Sequence, residues 1–579
     1  MQQPMDVDVL VVGGGGAGAR AAIEAHTCGA SVALLCKGLL GKSGTTPQAW
    51  PSYEAAFAAA DPRDTPQVHF EDTCREGRLL GDENLIWALA SEARERVLDL
   101  ERYGVKFEKV DGKFLQVHHP GQTYPRCLVI KGGGYGLISG LYKELKRRPE
   151  ITLLPDVMVT RLLQAGGRVV GATALDSRDG SFAAIRAKAT ILCTGGYEQL
   201  WKSTDTAPDT TGDGVALAYR AGAELVDMEM MLYYPTVISH PYGEVNGTLV
   251  QYEGLLSPQY VAGKLLNGLG EEFLPPGALP VRDVLTRLMF DEIGQGRGTK
   301  NGALYVDITR SPKPVEEIDA LLERLQSLPY KNLRDLGIDV KTTPIEVAPG
   351  MHYALGGVHI DEWGRTTVSG LYAAGEVASN VHGANRLSGN ALAETQVFGT
   401  RAGRCAAQEA QGLGALPQLG PDEIGAERQR LESILSVKER GLRPLELKRN
   451  LRGLMDRRVG MPRSHEGLNQ ALEGIRRMRD EDLPRVQAVG PRVFNNDWRE
   501  AVQADFMLDV AEIVVLSALQ RTETRGHHQR TDYPETLDAW LRHTAVKQGG
   551  RGPICRSIPV VRLDRHLVQG ADRVGGRPV

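Results

Sequence analysis

Six residues near the start, Val7 to Val12, form a run of strand formers broken only by Asp8, and the chain then turns at once through Gly13 to Gly18. An Ala-rich stretch follows, Ala19 to Ala25, with Arg20 and Glu24 on it, and then a second apolar run, Ser31 to Cys36. The pattern predicts strand, glycine-rich turn, helix and strand, a βαβ unit. Residues 53–110 read as mostly helical. Residues 151–198 read as short strands, among them Arg168 to Ala174 and Thr190 to Cys193. Residues 225–345 are rich in Pro, Gly and Tyr without long periodicity, as an inserted mixed α/β segment would be. Glycine-rich motifs return at 349–400. Residues 420–520 are charged and helical, with Glu427 to Gly441 and Glu500 to Gln520 as clear helices, and the tail from Arg521 reads as irregular.

Composition narrows the class. The 579 residues carry 68 Lys+Arg against 72 Asp+Glu, a net charge of -4, so there is no global basic excess with which to hold nucleic acid. The 67 glycines have no Gly-X-Y period and point to close approaches between backbone and a ligand. Seven cysteines with no CxxC pair argue against a disulfide framework, a metal site or an iron–sulfur cluster carried by this chain, and fit a reducing compartment. Met1 to Asp8 lacks a signal-peptide pattern and no stretch of about 18 apolar residues occurs, so a cytoplasmic protein without direct membrane insertion is expected.

The motif Gly13-x-Gly15-x-x-Gly18 follows a strand and opens a helix. Its glycines permit the tight turn, close approach to a pyrophosphate and close helix–strand packing, and the helix N-terminus meets the phosphate charge. The second strand ends in Cys36-Lys37, where an NAD site places an acid for the ribose, which disfavours NAD and leaves FAD open. Two further strand-to-turn signals are Ile191 to Gly196, followed by Thr211-Gly212-Asp213-Gly214, and Gly370 to Glu376, followed by His382 to Asn390.

With these motifs on view, the chain resembles the succinate dehydrogenase/fumarate reductase flavoprotein family, which includes L-aspartate oxidase. The matching stretches are Val9–Ala25, Gly41–Thr45, Cys193–Gly196, Thr211–Glu229, Arg282-Asp283-Val284, His352–Gly357, Gly370–Gly403 and Arg521–Pro534. The resemblance implies an α/β fold: a split Rossmann-like FAD-binding domain (1–228 and 348–412), an inserted α/β capping domain (229–347), a C-terminal helical domain (413–525) and a short tail (526–579). It implies FAD held by Gly13, Gly15, Gly16, Ala17, Gly18, Lys37, Ser43, Gly44, Thr45, Thr194, Gly195, Asp213, Glu376, Arg386, Ala391 and Leu392. The family moves a hydride between the flavin and one carbon of a C–C bond next to a carboxylate, and a proton to or from the neighbouring carbon. Arg282 matches the proton-transferring arginine and Glu253 its relay partner; a purely structural Arg282 paired with Asp283 or Glu253 is the alternative. His352 and Arg386 match the pair that grips one substrate carboxylate. Retention of all four argues against a decayed, non-catalytic electron-transfer subunit.

The departures are as informative. The family's small polar donors for the second carboxylate become Tyr234 and Tyr252, beside Tyr233. A phenol donates one hydrogen bond but cannot become cationic, so succinate and fumarate are not assured substrates. A true fumarate reductase or succinate dehydrogenase is the first alternative, and an oxidase of an α-amino acid, as in L-aspartate oxidase, is the second. The family's outer relay arginine becomes Leu256, or Gln259 if an insertion lies earlier, and neither carries a proton. Gly44 stands where the respiratory enzymes have a flavin-linked histidine, so the FAD is expected to be noncovalent. The resemblance also implies a small carboxylic acid for substrate and, for partner, an iron–sulfur or other electron-transfer subunit, with membrane association only through that partner. The segment from Arg521 holds 11 Lys+Arg against 6 Asp+Glu; it could face an acidic partner, but it reads first as a solvated surface.

Overall fold

The computed structural model describes residues 5–563 apart from 242–246, 278 and 551. The apolar run at the start forms β1 (Met5–Val12), and the glycine turn delivers it into α1 (Gly16–Thr27) and back to β2 (Val32–Leu35). Helices α2 (Pro66–Glu76) and α3 (Glu83–Arg102) fill most of the stretch read as helical. Strands β3 (Thr152–Leu154), β4 (Val157–Ala165), β5 (Arg168–Asp176) and β6 (Phe182–Leu192) follow, then α4 (Asp213–Arg220). The inserted segment holds β7 (Met231–His240), α5 (Tyr252–Leu256), β8 (Lys264–Leu266), α6 (Arg282–Gly294), β9 (Leu304–Asp307), α7 (Val315–Asp335) and β10 (Ile345–Ala354). The chain then returns through β11 (Leu371–Ala373) and α8 (Asn390–Gly412).

The larger sheet has the order β3-β2-β1-β6-β5-β4, and β11 pairs with the last residues of β6, beyond its pairing with β5. Strands β1, β2, β3, β6 and β11 run parallel; β5 pairs antiparallel with β6, and β4 antiparallel with β5. Val9–Val12 and Val32–Leu35 are buried on both faces, which is why they read as continuous apolar runs rather than alternations. Helix α8 lies along α1 because Gly399 and Gly403 have no side chains: a Cβ there would sit 2.7 Å from the Ala17 carbonyl and 2.6 Å from that of Ala21. This contact seats the second part of the nucleotide fold on the first, across the whole inserted segment. That segment forms its own antiparallel sheet, β7-β10-β9-β8, over a separate apolar core with Ile238, Leu285 and Val347.

Three sequence expectations change. The helix expected over Glu427–Gly441 is α9 (Pro421–Ile434), which stops early because the chain turns so that Leu442 bridges to Val486, leaving Val437 exposed. After α10 (Pro444–Arg458) and α11 (His465–Arg477), the last long helix, α12 (Asn496–Gln520), starts ahead of the expected Glu500, capped by the Asn495 side chain. The tail is neither irregular nor a solvated surface along its whole length. Arg521, Glu523, His527 and His528 are fully buried, and β12 (Arg542–Gly549) and β13 (Gly552–Pro559) form a hairpin paired to Leu225-Val226. Charge pairing lets the segment fold inward: Arg521 forms ion pairs with Asp227, Glu229 and Glu523. The last residues of the expected tail, 564–579, lie outside the described residues.

Candidate active site

A cleft opens at the carboxyl ends of β1, β2 and β6, where open α/β sheets bind nucleotides. Gly13, Gly15, Gly16, Ala17, Lys37, Ser43, Gly44, Thr45, Thr194, Gly195, Asp213 and Glu376 line it. Gly13 (φ +111°) lies so near the end of β6 that a Cβ would meet the Cys193 carbonyl at 2.1 Å. Gly18 does not line the cleft; its Cβ would strike the Gly13 carbonyl at 1.8 Å, so it serves helix–strand packing. Helix α1 opens with no acidic residue in its first turn, leaving a positive end toward the cleft. Arg386, Ala391 and Leu392 do not line it either.

Lys37 does not offer a free charge: its Nζ donates to Asp213 Oδ2 at 2.8 Å, to Thr211 Oγ1 at 2.9 Å and to the Asp209 carbonyl at 2.9 Å. Gly44 (φ +84°) donates its N–H to Asp209 Oδ2 at 3.1 Å, and a Cβ there would have nothing within 4 Å. Burial, joined by the neighbouring Glu198 carboxyl, pushes Glu376 well above the usual carboxylate range. The glycine cradle, the acid-free helix end and the cleft's place in the sheet fit the pyrophosphate and rings of FAD.

The four residues expected to do chemistry converge. Arg282 opens α6 and is 7% exposed; its Nη2 donates to Glu253 Oε1 at 3.3 Å and to Ser388 Oγ at 2.9 Å, while Nη1 is buried without a partner. Asp283 does not pair with Arg282; it takes a bidentate contact from Arg78 at 2.6 and 2.7 Å. Burial works against the Arg282 charge, but Glu253 and the two tyrosines outweigh it and raise its pKa above the ordinary value. Arg386 Nη2 reaches His352 Nε2 at 3.1 Å, and its Nε is buried without a partner. Among the described residues no carboxylate lies within ion-pair distance of Arg386. Burial, with Arg282 adding repulsion, lowers its pKa to about 10.

His352 Nδ1 lies 2.8 Å from Asp205 Oδ2, so that nitrogen carries the proton and Nε2 accepts from Arg386. Burial keeps the His352 pKa below the ordinary imidazole value although Asp205 opposes it. Asp205 and Ser388 were not found by sequence reasoning. Asp205 sits in a loop, Thr204-Asp205-Thr206, with no motif, 147 residues from the histidine it orients. Ser388 lies inside the His382–Asn390 motif, but nothing local showed that its hydroxyl would meet Arg282.

Tyr234, on β7, is 2% exposed and donates its hydroxyl to Glu253 Oε2 at 2.5 Å, under the Arg282 guanidinium 4.9 Å from its ring centre. Tyr252, opening α5, packs 5.7 Å from Tyr234 by ring centres, and its hydroxyl reaches the Pro280 carbonyl at 3.5 Å. Burial and Glu253 push both phenols well above their ordinary pKa. Leu256 is buried on the same short helix, and Gln259 is exposed beyond it. The buried tail also reaches the site: the Tyr233 N–H points at His527 Nδ1 at 3.4 Å, and His527 Nε2 lies 3.2 Å from Asn385 Oδ1.

Comparison with known proteins shows the family. A family model described as FAD binding domain matches residues 8–392, and one described as fumarate reductase flavoprotein C-term matches residues 448–562. The chain is 40% identical to a fumarate reductase (CoM/CoB) subunit of Methanothermobacter marburgensis over 93% of this chain and 96% of that protein. It is 33% identical to a fumarate reductase flavoprotein subunit of Mycobacterium tuberculosis, over 94% and 96%. Among solved structures, Mycobacterium smegmatis Sdh1 in complex with UQ1 superposes with a TM-score of 0.88 at 32% identity, covering 99% of this chain and 97% of that one. The chain therefore belongs to the succinate dehydrogenase/fumarate reductase flavoprotein family and is an FAD-dependent oxidoreductase acting on CH–CH groups.

Proposed function

We propose that the protein reduces, or in reverse forms, a C=C bond next to a substrate carboxylate held by Arg386 and His352. The observation that carries this reading is Arg386: a buried guanidinium beside a neutral imidazole, with no carboxylate within ion-pair distance among the described residues. A cation held in so costly a place suits an anionic ligand that completes the pair. Asp205 fixes the His352 ring and favours a second proton on it once a substrate carboxylate adds its charge. Bound FAD, held noncovalently because Gly44 has no side chain to attach it, supplies hydride exchange with the substrate carbon. Arg282 gives the proton to, or takes it from, the neighbouring carbon, and Glu253 keeps that guanidinium charged and oriented.

The far wall supports a substrate whose other end is uncharged. Tyr234 already donates its one proton to Glu253, and Tyr252 faces a backbone carbonyl, so neither offers a countercharge to a second carboxylate. A monocarboxylic 2-enoate is the substrate class this favours. Fumarate itself is the second reading, favoured by the unpartnered Nη1 of Arg282 and by the name of the Methanothermobacter relative. The relatives named as subunits support a partner of the iron–sulfur or other electron-transfer type, with any membrane association made through it; no described helix is long and apolar enough to cross a membrane. The test is anaerobic: dithionite-reduced holoenzyme is mixed with crotonate, cinnamate, fumarate and unrelated ketones. The enoates should return the oxidised flavin spectrum, and reoxidation by ketones alone would end this reading.

A further inference from the structure

The two arginines at the centre of the site are built alike. Arg282 lies over the Tyr234 ring, and the Tyr234 hydroxyl donates to Glu253. Arg386 lies over the Tyr353 ring, its Cζ 4.5 Å from the ring centre, and the Tyr353 hydroxyl donates to Glu394 Oε2 at 2.6 Å. One difference separates them. Glu253 also accepts directly from Arg282, whereas among the described residues no hydrogen bond or ion pair joins Glu394 to Arg386. A carboxylate bonded straight to Arg386 would occupy the fork that a substrate carboxylate needs. As it stands the fork is open: Nη2 reaches only the neutral His352 Nε2, and Nε is buried without a partner.

Glu394 and Tyr353 are themselves firmly placed. Glu394, near the start of α8, is 1% exposed, and His382, in the loop before that helix, meets the same Oε2 with its Nε2 at 2.9 Å. Facing a carboxylate, Nε2 carries the ring proton. Burial, with Arg386 adding repulsion, keeps the His382 pKa below the ordinary imidazole value although Glu394 opposes it, so the ring is a neutral donor. Among the described residues no Lys or Arg lies within ion-pair distance of Glu394. A buried carboxylate is costly without a countercharge, and Arg386, on the face of the phenol that Glu394 holds, supplies one. Tyr353 is buried among Leu80, Leu232, Leu355 and Ala384. Burial and Glu394 push its pKa well above the ordinary value, so the phenol stays a donor. A phenol that donates to a carboxylate is polarised toward a more electron-rich ring, and a ring face attracts a guanidinium most where water is excluded.

We propose that Tyr353 and Glu394 are positioning residues for Arg386, holding its charge from the ring face and leaving its N–H donors free for the substrate carboxylate. The inference rests on the reading of Arg386 and His352 as the carboxylate grip. Glu394 supplies a countercharge at a distance, Tyr353 carries it to the guanidinium and fixes the plane of the fork, and His382 fixes the carboxylate. Burial and Arg282 work against the Arg386 charge, while Tyr353, Glu376 and Glu394 favour it. Neither Tyr353 nor Glu394 is assigned a contact with substrate; both act through Arg386.

The test measures binding to oxidised holoenzyme through the change in the flavin spectrum, with cinnamate and fumarate each set against its uncharged amide, cinnamamide and fumaramide. Wild type should bind the better acid at least about tenfold more tightly than its amide. Glu394→Gln and Tyr353→Leu should retain FAD and lose about tenfold in affinity for that acid, with the amide changed less than about twofold. Tyr353→Phe, which keeps the ring face, should lose less than Tyr353→Leu. In an Arg386→Gln background, Glu394→Gln should cost acid binding nothing further. A loss that falls equally on acid and amide, an unchanged acid affinity in either folded variant, or an undiminished extra loss in the Arg386→Gln background would each overturn the proposal. Poor folding of Glu394→Gln leaves the decision to Tyr353→Leu against Tyr353→Phe. If wild type prefers neither acid to its amide, or Arg386→Gln binds the acid as tightly as wild type, the carboxylate-grip reading fails instead.

Discussion

Replacing Arg282 with Met separates the catalytic part of its role from the structural one. The guanidinium is 7% exposed, paired with a Glu253 that is 5% exposed, and lies over the Tyr234 ring. Removing one partner of such a buried pair leaves the other uncompensated, a loss of about 3–5 kcal/mol, whereas replacing both partners by neutral groups of similar size is often close to neutral. Arg282→Met should therefore destabilise the protein by about that amount, and Arg282→Met with Glu253→Gln should recover most of it. Activity should follow a different course. Loss of a positioned proton donor slows the reaction at least ~100-fold, about 2.7 kcal/mol of barrier, in both the single and the double variant. Arg282→Lys should rescue poorly, since Lys lacks the planar fork that meets Glu253 and Ser388 together. Chemical denaturation gives the stabilities, and stopped-flow oxidation of dithionite-reduced enzyme gives the rates. A double variant that regains turnover along with stability would show that Arg282 is structural only, and the proton role would pass to Tyr252 or Tyr234.

Three further outcomes are expected. Acid precipitation should release all flavin colour to the supernatant, because Gly44 cannot bond to it; colour retained in the pellet would contradict noncovalent binding. Asp205→Asn should raise KM for the carboxylate substrate about tenfold, or about 1.4 kcal/mol, by freeing the His352 ring to adopt the wrong tautomer, and an unchanged KM would remove Asp205 from the site. His527 is held neutral by burial with its pKa lowered to about 3, while the unfolded chain takes a proton near the ordinary 6.5, so its contribution to stability is present above pH 6.5 and lost as pH falls. His527→Asn should shrink the stability lost between about pH 7.5 and 5.5 by about 1.4 kcal/mol, and an undiminished loss would mean that the ring is protonated in the fold.

Much of the fold and the site is legible in the chain itself because it is local. The strand–glycine–helix order of β1 and α1 is written in consecutive residues, and Arg282, Glu253, His352 and Arg386 sit in motifs that a resemblance can carry residue by residue. That Arg282 meets Glu253 and that Arg386 meets His352 follows from those motifs, and the structure brings both pairs together. What is not legible depends on partners far away along the chain. Asp205 is an ordinary loop acid until the fold brings His352 to it. Arg521, Arg525 and His527 read as a basic surface because composition counts charges without their partners; Glu229 and Glu523 neutralise the arginines, and the segment folds inward. The helical pattern through Gly441 misleads for a similar reason, since the turn after Ile434 is set by the bridge from Leu442 to Val486.

The substrate is decided most directly by one competition measurement on reduced holoenzyme under anaerobic conditions: the second-order rate of flavin reoxidation by fumarate against crotonate and cinnamate. With the far carboxylate facing two phenols, one of them already bound to Glu253, a monocarboxylic enoate should outpace fumarate, and Tyr234→His with Tyr252→Thr should raise the rate with fumarate. Fumarate as the best oxidant by about tenfold or more, with the double substitution changing little, would show that the tyrosine wall accepts a second charge and would contradict the assignment of an uncharged far end.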